Sequence, residues 1–308
     1  SLSNVGPGVT QAIGPAGNGW FPVKKGGKWG IVSETGETVA GFEYDAIGTP
    51  APYTPMQFEG VWYALGPTAE FDATPLPFDT LIGNDGNCMV GTAQGVPVTA
   101  NRGDAPLDQQ YPQFDSMKPP AEGYVDFTIG GKAGHVDCAY GAINGGAADF
   151  DQASGYSEGL AAVRVGTGWG YVANYDNAFE FGGDWQGARA FSQGLAPVKQ
   201  DGRWGYVDLQ GSFVIPPQFD QAYAFSDGLA GVEVDGKRGF ILPSGRFAIA
   251  PQFDDFWRHD GGVVPVRQGE LWGVIAPDAT DPATRLNLPL AALAAEQSDH
   301  QPGFTLQP

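Results

Sequence analysis

The chain repeats itself, and that constrains its fold more than any other feature. Gly194-Leu195-Ala196-Pro197-Val198, Asp201-Gly202, Trp204-Gly205-Tyr206-Val207-Asp208, Gly211 and Pro217-Gln218-Phe219-Asp220 form one copy of a pattern. Gly228-Leu229-Ala230-Gly231-Val232, Asp235-Gly236, Arg238-Gly239-Phe240-Ile241, Gly245 and Pro251-Gln252-Phe253-Asp254 form the next, 34 residues on. An aromatic residue followed by Asp recurs at Tyr44-Asp45, Phe78-Asp79, Phe114-Asp115, Phe150-Asp151, Phe219-Asp220 and Phe253-Asp254, with Trp185 in the aromatic place of one further unit. The steps are 34, 36, 36, 35, 34 and 34 residues. Periods of this length are the mark of repeat architectures, in which each unit buries its apolar faces against its neighbours.

Eight units follow: 9–43, 44–77, 78–113, 114–149, 150–184, 185–218, 219–252 and 253–280. Residues 1–8 are an N-terminal extension and 281–308 a tail or cap, where Leu288 to Glu296 suits one short helix. The unit 78–113 is the poorest match. Its centre reads Cys88-Met89-Val90-Gly91, and the polar run from Thr99 to Gln110 suggests a shortened hairpin followed by an insertion.

Each unit reads as short strands. The Leu-Ala-x-Val and Trp-Gly-Tyr-Val segments are joined by Asp201-Gly202, Asp235-Gly236, Gly26-Gly27 or Gly130-Gly131. These dipeptides accept φ > 0 at both central positions, as a two-residue hairpin requires. A second turn at Gly36, Gly211 or Gly245 leads to a Val-Ile strand that a proline closes. The Phe-Asp-x-Ala stretch forms a shorter strand. Gly at 47 and Pro at 25 residues would suggest low complexity, but the glycines fall at fixed offsets and read as turns. Apolar residues occupy both faces of the strands, so each sheet must be covered twice. The expectation is an all-β chain of tandem meanders of about 35 residues, forming a seven- or eight-bladed β-propeller, with an open β-solenoid of stacked hairpins as the alternative.

The motifs of residues 194–220 resemble those of the bacterial WG-repeat family. The likeness runs from about residue 9 to 277, close over 155–275 and loose over 50–148. It implies a β-rich scaffold without shared catalytic residues, used for binding or in the cell envelope. A resemblance of Gly19 to Trp29 to choline-binding repeats fails on period, which is about 20 residues there.

The net charge of −19 argues against a nucleic-acid partner, which needs a basic face, and favours attraction to basic partners. No apolar run is long enough for a membrane-spanning helix. Cys88 and Cys138 permit one disulfide, and a periplasmic or secreted location is favoured over a cytoplasmic one.

No residue set here implies a cofactor, a metal or a catalytic machine. The three histidines, His135, His259 and His300, lack metal-ligand spacing. In His135-Val136-Asp137-Cys138 a strand would put His135 and Asp137 on one face and Cys138 on the other. The recurring aspartates suit turn capping better than a carboxylate pair or a Ca²⁺ cluster. Trp29, Trp62, Trp169, Trp204 and Trp272 hold the repeat's core position. Departures from the repeat are the candidate binding surface: Trp20, Trp257, Arg258 and His259, with Arg102 and Asp104 in the eccentric stretch. The function expected is a non-enzymatic scaffold that binds another protein, plausibly basic, through an acidic surface, as in toxin neutralisation or envelope association. A cell-wall carbohydrate module and a propeller-type hydrolase are the alternatives.

Overall fold

The structure is a computed structural model that describes residues 9–12, 19–86, 88–102, 107–111, 114–139, 141–142, 148–173, 179–256 and 264–275. The helix expected within 288–296 lies outside them. All regular structure among these residues is β, in eight small antiparallel sheets.

Seven sheets have four strands in simple meander order. The first comprises Val9–Ala12, Trp20–Lys25, Lys28–Ser33 and Thr38–Tyr44, and the second Ala46–Ile47, Thr54–Phe58, Val61–Leu65 and Phe71–Asp72. The third has Thr80–Asp85, Cys88–Ala93, Val96–Asn101 and Leu107–Gln110, and the fourth Ser116–Met117, Tyr124–Ile129, Lys132–Asp137 and Gly141–Ala142. The fifth has Gln152–Ala153, Leu160–Val165, Gly168–Ala173 and Phe179–Trp185, and the sixth Gly187–Ala188, Ala196–Gln200, Arg203–Val207 and Phe213–Phe219. The seventh has Gln221–Ser226, Leu229–Val234, Lys237–Ile241 and Phe247–Phe253, and the eighth the three strands Asp255–Phe256, Val264–Gln268 and Leu271–Ile275. A four-stranded meander of this kind is the blade of a β-propeller rather than a bare hairpin.

Two compact units divide the chain. One holds residues 1–166 and 172–178, with the first four sheets, and the other holds 167–171 and 179–308, with the last three. Within each unit the core lies between successive sheets. Trp29, Ile31, Ala40 and Tyr44 of the first sheet pack on Met56 and Leu65 of the second. Trp204, Tyr206, Ile215 and Phe219 of the sixth pack on Phe225, Val232 and Ile241 of the seventh. Both faces of a sheet are thereby covered, as its two-sided apolar pattern demands.

The aromatic-Asp pair straddles two sheets. Tyr44 ends the fourth strand of the first sheet opposite Trp29, and Phe219 ends that of the sixth opposite Trp204. The Asp that follows opens the next sheet. The turns follow the sequence reading: Asp201 and Gly202 have φ of 51° and 80°, and Asp235 and Gly236 of 51° and 72°.

The glycine of Trp-Gly answers a bulge. Trp204 pairs with Phe219 and Tyr206 with Ile215, so Pro216, Pro217 and Gln218 all stand opposite Gly205. A Cβ on Gly205 would lie 2.5 Å from the Ile215 carbonyl oxygen and 2.7 Å from the Pro217 nitrogen. Gly239 is held in the same way, with a Cβ 2.6 Å from the Ile249 oxygen. The prolines therefore sit in a bulge inside the fourth strand, where no ladder donor is needed, instead of closing it.

The third sheet corrects the reading of its sequence. Cys88–Ala93 is the second strand of a full meander, and Val96–Asn101 takes the Trp-Gly place. Val98 occupies the glycine's position because its partner strand pairs regularly there, Val98 with Gln110 and Thr99 with Gln109. The bulge has moved to the other neighbour, between Val90 and Gly91, and the glycine has moved with it: a Cβ on Gly91 would lie 2.4 Å from the Thr80 oxygen. Most of the expected insertion from Thr99 to Gln110 is strand, with only 103–106 outside the described residues.

Candidate functional site

The marker aspartates are consumed by the fold. Asp115 Oδ2 accepts from the Gly130 N–H at 2.6 Å, Asp151 Oδ2 from Gly166 at 2.6 Å, Asp220 Oδ2 from Asp235 at 2.7 Å and Asp254 Oδ2 from Gly269 at 2.5 Å. Asp79 reaches Gln94 in the same way at 3.2 Å. Each carboxylate thus ties the opening of a sheet to the hairpin tip 15 residues later in that sheet. In three units a lysine of the preceding sheet completes the site: Lys28 with Asp45, Lys132 with Asp151 and Lys237 with Asp254, all at 2.5 Å. Arg203 does the same for Asp220. The hydrogen bond from lysine, joined by backbone N–H donors, holds the carboxyls of Asp45, Asp151 and Asp254 below the ordinary aspartate range. A hydrolase reading built on these recurring carboxylates loses its basis. Gln186 takes the Asp place in the sixth sheet and accepts from Gly202 at 2.7 Å, so an amide oxygen suffices for this task.

A second set of acceptors, one that the sequence reading passed over, links the other turns. Glu122 and Gln193 precede the glycine of the turn between first and second strands, at φ of 52° and 56°. Glu122 accepts from the N–H groups of Glu158 and Gly159 in the next sheet's equivalent turn, at 2.6 and 2.9 Å. Gln193 accepts from Gly228 at 2.9 Å, and Asp85 from Gly123 at 2.8 Å. The signal was a polar residue before the glycine of this turn, as in Asp85-Gly86, Glu122-Gly123 and Gln193-Gly194, and its meaning emerges only when consecutive sheets are side by side.

Where the third and fourth sheets meet, these turns open a pocket of about 420 Å³. Its lining includes the carboxylates of Asp85, Glu122 and Asp137, the amide of Asn101 and the ring of Tyr124. Among the described residues no Lys, Arg or His contributes to that lining. Asp137 accepts from the Ala139 N–H at 2.7 Å, and the Tyr124 ring is fixed against Tyr156 at 4.5 Å between centroids. A carboxylate offers about four acceptor sites. With one and two backbone bonds respectively, Asp85 and Glu122 can each meet a further donor from outside. The floor holds a disulfide between Cys88 and Cys138, which are 50 residues apart and almost fully buried. It ties the second strand of the third sheet to the end of the third strand of the fourth.

The other residues singled out in the sequence disperse. Cys138 is in the disulfide and presents no thiol nucleophile. His135 is fully buried, with Nε2 at 3.1 Å from the Ser154 carbonyl and 3.5 Å from Asp126 Oδ1, and it packs on the Tyr156 ring. Lys118 bonds the other oxygen of Asp126 at 3.1 Å. Trp20 is half-buried against the core of the first two sheets. Arg102 belongs to no open surface: its side chain is 6% exposed, because it reaches back between Asp72 and Asp108. Trp257, Arg258, His259 and Asp104 lie outside the described residues. Of the repeat tryptophans, Trp29, Trp62 and Trp204 are buried, whereas Trp169 and Trp272 are only partly so. Among the described residues no group of three or more His, Cys, Asp or Glu is placed to hold a metal ion.

Comparison with known proteins agrees with this geometry. Residues 147–171, 183–204, 204–237 and 239–272 match the family described as WG containing repeat. No curated protein matches the chain. A crystal structure described as the eukaryotic initiation factor superposes with a TM-score of 0.52 at 10% identity, over 87% of this chain and 85% of that one. Hsv2p of Kluyveromyces lactis superposes with a TM-score of 0.40 at 13% identity, over 68% of this chain and 78% of that one. The first of these is a β-propeller, and its likeness concerns the fold alone. With its markers recurring along eight blade-like sheets, the chain has an all-β, propeller-type fold, and four stretches between residues 147 and 272 carry the WG containing repeat.

Proposed function

We propose that this protein is a non-enzymatic binding scaffold that receives a basic segment of another protein in the pocket of Asp85, Glu122 and Asp137. The observation that carries this reading is the charge of that pocket: three carboxylates, an aromatic ring and, among the described residues, no cation in its lining, on a chain of net charge −19. A lysine or arginine side chain complements the negative charge of these carboxylates, and a ring beside it adds a cation–π contribution of about 0.5–2 kcal/mol. The field of the whole chain would steer such a partner toward it. The disulfide supports a periplasmic or secreted location, because such bonds persist in oxidising compartments.

Calorimetric titration with hexalysine and hexaarginine peptides tests the reading. The triple variant Asp85→Asn, Glu122→Gln, Asp137→Asn keeps an acceptor oxygen at every turn, as Gln186 and Gln193 already do. It should fold normally and lose affinity by about tenfold or more, since hydrogen bonds to charged groups contribute roughly 1.5–3 kcal/mol. A control triple on exposed carboxylates of the first sheet, Glu34→Gln, Glu37→Gln, Glu43→Gln, should change little. Equal losses in both triples would reduce the effect to bulk charge and sink the assignment.

A further inference from the structure

A second pocket, of about 240 Å³, is bordered by Asp72, Thr74, Arg102 and Asp108. Arg102 follows the third strand of the third sheet, Asp108 lies on the fourth strand, and Asp72 ends the fourth strand of the second sheet. Arg102 Nη1 donates to Asp108 Oδ1 at 2.7 Å and to the Asn101 carbonyl at 3.1 Å, and Nη2 reaches Asp108 Oδ2 at 3.4 Å. Nε stands 3.6 Å from Asp72 Oδ2, an ion pair too long for a hydrogen bond. It is buried and has no hydrogen-bond partner among the described residues. Leaving a buried donor of a charged group unmade costs more than the mean hydrogen bond gains. Such a group therefore marks a place where an acceptor is expected.

The charges around it select the acceptor. Two carboxylates and one guanidinium leave the pocket with one net negative charge, which disfavours an anion on Arg102. A cation would meet the guanidinium directly. A neutral hydroxyl fits both: its oxygen accepts from Nε–H while its proton goes to an Asp72 or Asp108 oxygen. Adjacent hydroxyls repeat the arrangement along the row of carboxylates, and the Thr74 hydroxyl adds one more donor–acceptor. The volume is below the roughly 300–1,000 Å³ of pockets for drug-sized ligands, which limits the occupant to a single ring or short chain.

We infer that Asp72, Thr74, Arg102 and Asp108 form a binding site for a neutral polyhydroxylated ligand of monosaccharide size, with Arg102 Nε–H and the two carboxylates reading neighbouring hydroxyls. This site is separate from the acidic pocket and independent of the reading proposed for it.

The test is a titration of the folded chain with glucose, galactose, mannose and glucitol, followed through the arginine Nε–H resonances by ¹⁵N-resolved NMR, with sodium acetate and acetamide as comparison probes. A saturable shift of the Arg102 resonance at millimolar sugar or glucitol is expected, the range of Kd near 1 mM and about −4 kcal/mol that a few hydrogen bonds supply. Thr74→Val, at an exposed position, should weaken binding severalfold without altering the fold. Arg102→Lys keeps the charge, removes Nε–H and should abolish binding detected by saturation transfer. The inference is overturned if no hydroxylated probe shifts the resonance saturably, if acetate or acetamide does so as well as the sugars, or if Thr74→Val binds unchanged.

Discussion

Gly205→Ala separates a packing requirement from a conformational one. Gly205 is not at positive φ, so alanine is allowed by its backbone. In an ordinary strand the change would stabilise by about 0.5–1 kcal/mol, since glycine gives up the most freedom on folding. Burying one methyl would add about 0.8 kcal/mol. Against this, the new Cβ would lie 2.5 Å from the Ile215 oxygen, 2.7 Å from the Pro217 nitrogen and 2.8 Å from the Pro216 carbonyl carbon. All three are backbone atoms of the facing bulge, and no rotamer change relieves them. Overpacking of this kind costs about 1–3 kcal/mol, and displacing the bulge puts at risk a ladder hydrogen bond of roughly 0.5–1.5 kcal/mol. The expected net effect is a loss of about 1–3 kcal/mol, opposite in sign to the ordinary case. Urea unfolding followed by tryptophan fluorescence reads it, with Trp204 as the adjacent reporter. Gly41→Ala is the control: it also lies in a bulged fourth strand, but its Cβ would meet only the Glu43 carboxylate at 3.6 Å. It should be neutral or stabilising. If Gly205→Ala is as stable as the parent chain, the glycine does not exist to admit the bulge.

Three further outcomes follow from the same structure. Replacing both cysteines by alanine opens a link spanning 50 residues and should cost about 4 kcal/mol by loop entropy, seen in thermal or urea unfolding; a loss under about 1 kcal/mol would refute a stabilising role. Asp45, Asp151 and Asp254 have lowered pKa values in the fold, so the stability they contribute is complete above the ordinary aspartate value of 3.8 and fades as pH falls through their lowered values. Lys237→Ala should raise the Asp254 midpoint in an NMR titration, and an unmoved midpoint would show that the lysine does not set it. At the alkaline end, burial pushes the phenols of Tyr171 and Tyr206 far above their ordinary value of 10.0, so the contribution of the neutral form holds below that value and is lost as pH rises beyond it. Phenolate absorbance should therefore show these two tyrosines ionising only together with unfolding.

The residues that specify a single sheet could be read directly. Asp201-Gly202 and Gly26-Gly27 make their turns because φ > 0 is a local property of those residue types. The alternation of apolar residues around Trp204 places strands for the same reason. The role of the marker aspartates was legible in kind, as turn caps, though the tip each one holds lies 15 residues away.

What the sequence by itself determined is therefore the unit: its period, its strands, its turns and the need to cover both its faces. Only the tertiary structure decided what depends on neighbours. It moved the glycine of the third sheet from the Val98 position to Gly91, because the bulge there faces the other strand. It also joined Cys88 to Cys138, took Arg102 off the surface to Asp72 and Asp108, and gathered Asp85, Glu122 and Asp137 around one pocket. Turn and strand preferences are set within a few residues of chain. Bulge placement, ion pairing and pocket charge are set by which sheets lie side by side, and those contacts join residues tens of positions apart.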